Sequence, residues 1–198
     1  MPRYKIQRKD IVSLEETRML MNLMPSSKDK TMVAMFYLFG CRPIELCLLK
    51  KRDFQVNIEE NKLWVNMPNK KKRRDKYELI ESSRWVWAFL DDPLTEAIRA
   101  YMENKDMDEI LWHYGNNQKS TNAILNRKIK SFNSNVCPYL FRHSRLTRLA
   151  ENGATSSELT LWAGWEDDRP TKNYVHKTRK LAANVPQGNS SDEGARIG

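Results

Sequence analysis

Between Phe54 and Ile80 the hydrophobic spacing switches from the three-to-four-residue period of helices to strict alternation. On both sides of that block the period is helical. Phe54-Gln55-Val56-Asn57-Ile58 alternates, and so does Lys62-Leu63-Trp64-Val65-Asn66-Met67; Lys76-Tyr77-Glu78-Leu79-Ile80 follows a basic turn. Alternation sends every second side chain to one face, so each run predicts a strand with one buried side. Tight turns join antiparallel neighbours. A chain with one such block can build a single three-stranded antiparallel sheet and must draw the rest of its core from helices. The predicted class is α+β, mostly helical with one small sheet.

The helical segments carry their own punctuation. Ser13 and Glu16 stand at capping-box spacing ahead of Leu14, Thr17, Leu20, Met21 and Met24. A second helix is predicted from Lys28 to Phe39, stopped by Gly40, and a short one over 43–50 begins at Pro43. Further helices are predicted over 83–90, 93–104 behind an Asp92 cap, 119–132, 138–152, 156–163 behind Thr155 and Glu158, and 171–177. Residues 1–9 read as a basic linker and 10–181 as the folded domain. Residues 182–198 read as a flexible tail, since Pro186 to Gly198 offers almost nothing to bury.

Composition narrows the function. The formal charge of +9 favours a polyanionic partner, nucleic acid ahead of a membrane. With 40% hydrophobic residues and six tryptophans the chain is too apolar for a disordered basic tail. Its longest apolar run, Met32 to Cys41, is about half a membrane span. No signal peptide is read in the polar, basic N-terminus. Three cysteines without a C-x-x-C predict reduced thiols in an intracellular protein. The three histidines are far apart and pair with no cysteine at metal-ligand spacing, so no zinc site is expected.

Several residues can carry chemistry, each with a plainer reading beside it. Six of the seven residues from Lys70 to Lys76 are Lys or Arg. They form a solvated phosphate patch, or one lysine enters a groove and delivers a proton while its neighbours hold the backbone. Arg42 and Glu45 make an ion pair within one helical turn, or a carboxylate-held fork aimed at a phosphate. Tyr139 and Arg142 share a helix face that either lies along DNA or carries a site. Ser144 beside His143 suggests a serine nucleophile, but adjacent helical side chains diverge. Tyr174 alone reads as packing.

Taken in order, Gly40-x-Arg42-x-x-Glu45-Leu46, a basic hairpin turn, Tyr139-x-x-Arg142-His143, Gly164-Trp165 and Tyr174 resemble the catalytic domain of the tyrosine recombinases, or phage-type integrases. The resemblance covers about residues 10 to 181. The strings YLFRHSRLTRLAENG and GWEDDRPTKNYVH look most like integrases of archaeal viruses and plasmids. It implies Arg42 and Arg142 as the two catalytic arginines, Trp165 at the His/Trp position and Tyr174 as the nucleophile. Lys71 is implied as general acid, with Lys70 and Lys72 close by, and Lys70, Lys72, Arg73, Arg74 and Arg145 as DNA-binding residues. Tyr139 stands where most members carry the histidine of H-x-x-R. A phenol does not take up protons at neutral pH, so Tyr139 is left to hydrogen-bond a phosphate oxygen or orient another group.

The implied chemistry is cleavage and rejoining of double-stranded DNA at attachment sites through a 3′-phosphotyrosyl bond, with no metal and no ATP. The resemblance further implies a tetramer on DNA in which a C-terminal segment docks onto a neighbour. Leu181 to Val185, the apolar stretch after Tyr174, is the candidate for that contact, and without a clamp domain a monomer is expected when free. Family members usually carry an N-terminal clamp domain for which residues 1–9 are too few, so a catalytic fragment is expected. Alternatives are relaxation of the type IB topoisomerase kind, a DNA-binding module without catalysis, and a metal-dependent nuclease using Asp91-Asp92 or Asp167-Asp168. In the last case Asp92 is better explained as a helix cap.

Overall fold

The centre of the molecule is a helix that is apolar nearly all round, and such a helix must be covered on every side. In the computed structural model, which describes residues 11–69, 82–115, 118–133 and 135–175, this helix is α2 (Ser27–Phe39). Met32, Val33, Ala34, Met35 and Phe36 are fully buried there. Around α2 pack α1 (Leu14–Leu23), α4 (Pro93–Met102) and α6 (Pro138–Glu151). Phe141 of α6 stacks on Phe36 with ring centroids 6.2 Å apart. The remaining helices are α3 (Pro43–Leu46), α5 (Gln118–Phe132) and α7 (Ser156–Ala163). A 3₁₀ turn over Arg169–Thr171 runs into a helical turn at 172–175.

The sheet is antiparallel in the order β1 (Phe54–Asn57), β2 (Lys62–Asn69) and β3 (Ser82–Phe89). Leu63, Val65 and Met67 of β2 are fully buried, as the alternation requires. On the other face Trp64 sits opposite Trp87, and Lys62 lies over both rings at 5.4 and 4.8 Å.

Two expectations need correction. Residues 83–90 form no helix, because 82–89 are the third strand. Arg84, Val86 and Ala88 are buried while Trp85 and Phe89 are exposed, a two-residue period in an aromatic-rich run. The helix expected over 43–50 ends at Leu46, and Lys50 instead bridges to Ile110. The strand expected at 76–80, the basic turn, the linker 1–9 and the tail 182–198 lie outside the described residues. The three-stranded sheet itself stands. Among the described residues no helix is long and apolar enough to cross a membrane.

Two local devices tie this frame together. Gly40 ends α2 with φ +61°, and an added Cβ there would stand 3.1 Å from the Cβ of Arg145. Its carbonyl oxygen accepts from Arg142 Nη1 at 2.9 Å, so α2 and α6 meet at this residue. The second device is a buried ion network. Glu45 of α3 accepts from Arg84 Nη2 of β3 at 3.0 Å. Arg84 also donates through Nε to the Trp162 carbonyl of α7 at 2.7 Å and through Nη1 to Asn69 Oδ1 at the end of β2. Helix α3, helix α7 and both strands flanking the basic turn are thereby held by one guanidinium.

Gly40→Ala places a side chain in the left-handed region, which costs about 1–2 kcal/mol. Urea unfolding is expected to show at least that loss. Arg84→Met strips the buried Glu45 of a partner and is expected to cost about 3–5 kcal/mol by the same measurement. Burial opposes ionisation of Glu45, but Arg84 and Arg42 outweigh it and hold its carboxyl below 4.5. A carboxyl lowered on folding contributes stability that is complete above its unfolded value and lost as pH falls through the folded one. The melting temperature is therefore expected to fall below about pH 4.5, and to fall less steeply in Glu45→Gln.

Candidate active site

The α2 stop and the proline-started α3 present Arg42 at an N-terminal turn. Its backbone N–H donates to Glu45 Oε2 at 2.8 Å and its Nη1 to Glu45 Oε1 at 2.5 Å. Glu45 is completely buried, whereas the Arg42 side chain keeps 25% of its surface exposed. One end of the fork is therefore anchored while the rest is open to a ligand.

Arg142 enters from α6, three residues beyond Tyr139. Its Nη1 donates to the Gly40 carbonyl and its Nη2 to the Ala163 carbonyl, the latter at 2.5 Å. Burial, with Arg42 adding to it, pulls this guanidinium down to about 10, so it stays charged at neutral pH. Its charge centre lies 5.7 Å from the ring of Trp165. Trp165 follows Gly164, which ends α7 in the left-handed region at φ +61°. A Cβ at position 164 would collide with Asn69 Oδ1, so glycine lets α7 close against the sheet.

Tyr174 is delivered by the helical turn after Arg169–Thr171. It is buried, with its ring 6.0 Å from that of Trp165. Burial pushes its phenol up to about 12; Tyr139 adds to the rise and Arg142 opposes it. His143 Nδ1 lies 3.2 Å from Tyr174 Oη. Arg42, Tyr139, Arg142, His143, Trp165 and Tyr174 line a single cavity of about 390 Å³.

Five of the residues picked out in the sequence therefore share one cavity: Arg42, Tyr139, Arg142, Trp165 and Tyr174. Tyr139 is 66% exposed at its edge. Arg145 does not line it; its guanidinium lies over the Trp162 ring at 4.8 Å. Lys70, Lys71, Lys72, Arg73 and Arg74 lie outside the described residues, between Asn69 and Ser82 in the sequence. Ser144 is fully buried and tied to the backbone of Leu140 and Val12, which leaves it no nucleophilic role. Asp92 caps α4 by accepting from the Leu94 N–H, and Asp167 pairs with Arg169. Among the described residues no three metal-ligating side chains gather.

Sequence reasoning missed Arg84 and the partnership of His143 with Tyr174. Arg84 meets a carboxylate 39 positions away, and no local pattern announces that. For His143 a signal existed: it lies four residues after Tyr139, on the same side of one helix.

Comparison with known proteins agrees with this architecture. Residues 11–180 match the phage integrase family. The chain is 23% identical over 189 residues to tyrosine recombinase XerD of Staphylococcus haemolyticus, a match spanning 90% of this chain and 61% of that protein. XerD of Staphylococcus aureus matches with the same identity and coverage. The chain thus spans about three fifths of the length of these relatives. Among solved structures, XerA recombinase superposes with a TM-score of 0.60 at 20% identity, covering 90% of this chain and 66% of the other. The XerH site-specific recombinase bound to its difH substrate before cleavage gives 0.62 at 16% identity, covering 89% and 54%. The Tn1549 transposon integrase in complex with a circular intermediate DNA gives 0.59 at 15%, covering 93% and 67%. With the family match running through nearly all of the described residues, the chain belongs to the phage integrase family.

Proposed function

We propose that this chain cleaves and rejoins DNA at specific sites through a 3′-phosphotyrosyl intermediate on Tyr174. The observation that carries this reading is the shared cavity, where two guanidinium groups and a buried phenol converge. A phosphodiester repels nucleophiles through its anionic oxygens, and charge grows on them as the fifth bond to phosphorus forms. Arg42 and Arg142 neutralise those oxygens from fixed positions, and the Trp165 indole N–H adds a donor. Tyr139, at the rim, hydrogen-bonds a phosphate oxygen. Tyr174 Oη attacks phosphorus in line and displaces the 5′-oxygen.

The 5′-oxygen needs a proton as it leaves. Lys71 is assigned that part, with Lys70 and Lys72 as neighbours and Arg73, Arg74 and Arg145 on the DNA backbone. Bond energy stays in the phosphotyrosyl link, so neither ATP nor a metal is called for. Attack by a second strand's 5′-hydroxyl exchanges strands, which on this reading happens in a tetramer assembled on two sites. The strings around Arg142 and Tyr174 support an origin in an archaeal virus or plasmid.

The test is a pool of nicked suicide duplexes with randomised sequence around one scissile phosphate, incubated with the chain in EDTA. Covalent adduct is expected on a denaturing gel and absent with Tyr174→Phe, while duplex binding persists. Adduct formed by Tyr174→Phe would falsify the assignment of the nucleophile. With the captured duplexes, Arg42→Lys keeps the charge but loses the fork. Adduct formation is expected to slow about 100- to 1,000-fold, with affinity little changed.

A further inference from the structure

We propose that His143 takes the proton from Tyr174 as the phenol attacks phosphorus, and returns it when the strand is resealed. This rests on the phosphotyrosine reading above. Nδ1 of His143 stands 3.2 Å from Tyr174 Oη, within hydrogen-bond reach of the reacting atom itself. Both side chains are buried, at 6% and 8% exposure, and their ring centroids are 5.1 Å apart. The pairing is thus part of the packed site.

Elimination leads to the same residue. Tyr174 keeps its proton at neutral pH, since burial raises its phenol to about 12, so attack needs an acceptor at Oη. The titratable and charged groups lining the cavity, among the described residues, are Cys41, Arg42, Tyr139, Arg142, His143 and Tyr174. Guanidinium groups stabilise a phenolate but cannot accept its proton. Tyr139 is itself a phenol, and burial raises the Cys41 thiol, keeping it protonated. Among these groups an imidazole nitrogen is the one that can accept a proton at neutral pH. Position 143 is one helical turn beyond 139, so α6 supplies an imidazole from the same face that carries Tyr139.

The step balances without a further reactant. The Oη–P bond forms as the P–O5′ bond breaks, and the phenolic proton moves to Nδ1. The departing 5′-oxygen takes its proton from the lysine assigned above as general acid, Lys71. Resealing runs the same transfers backwards, with imidazolium protonating the leaving phenolate.

The test uses the full chain and a captured suicide duplex carrying sulphur in place of the scissile 5′-oxygen. A thiolate leaves without a proton, so the rate reports proton removal from the nucleophile alone. For the unmodified chain the single-turnover adduct rate is expected to rise by one proton's slope between about pH 5 and 8, where imidazoles change charge. His143→Asn keeps a polar atom near the Nδ1 position but accepts no proton. It is expected to lose that limb and to slow on the order of 100-fold, with duplex affinity and melting temperature held. If His143→Asn forms adduct within about threefold of the unmodified rate on the same pH profile, the proposal is overturned. A flat profile for the unmodified chain overturns it too, and that measurement decides the matter even if the variant does not fold. Absence of any Tyr174-dependent adduct from the unmodified chain would sink the phosphotyrosine reading and this proposal with it. Adduct that forms regardless of residue 143 sinks the proposal alone.

Discussion

A fully buried carboxylate at position 45 organises the site. Removing an ionised carboxylate from water is costly, and the cost is met only by partners of opposite charge at good geometry. Among the described residues Glu45 has two, Arg42 beside it in sequence and Arg84 from the sheet. Each constrains something different. Arg42 is held so that part of its fork stays open to the cavity, and Arg84 binds the adjoining ends of β2 and β3 to α3 and α7. A single side chain therefore fixes both Arg42 and the paired ends of β2 and β3 before any ligand arrives. Such preorganisation is how a site stabilises charge without rearranging at the moment of reaction.

The charge around Glu45 does not close. Three guanidinium groups, of Arg42, Arg84 and Arg142, surround one carboxylate among the described residues. Arg142 directs two donors to the neutral carbonyls of Gly40 and Ala163, and burial, with Arg42 nearby, lowers its hold on its own proton. A cavity where guanidinium groups outnumber carboxylates among the described residues suits an anion whose charge increases during reaction.

The parts of this that were legible in the sequence are those set by short-range spacing. Gly40, Arg42 and Glu45 fall within six residues, and their geometry follows from a helix stop and a proline-started turn. Tyr139 with Arg142 follows from helical period, and β1 and β2 follow from alternation. Strand β3 was hidden because its Trp-Val-Trp-Ala-Phe run is as apolar as a buried helix, and only pairing with β2 reveals its period. Arg84 and the His143–Tyr174 contact were hidden for a different reason. Their partners lie 39 and 31 positions away and are brought together by packing. Local rules place a residue on a face; which face it meets is a property of the whole fold.

The burial of Tyr174 makes that last contact consequential. A phenol is normally a better leaving group than a deoxyribose hydroxyl, which would bias a phosphotyrosyl exchange toward resealing. Raising the phenol to about 12 by burial narrows the difference in basicity between the two oxygens, and so narrows the bias. The same burial makes a free phenolate too costly to form ahead of attack. On the proposed phosphotyrosine reading, the proton leaves Oη in step with bond formation, to the base within hydrogen-bond reach of it, and returns by the same route. Burial balances the exchange in this way only if it encloses the nucleophile together with an acceptor, and in this cavity His143 is enclosed with Tyr174.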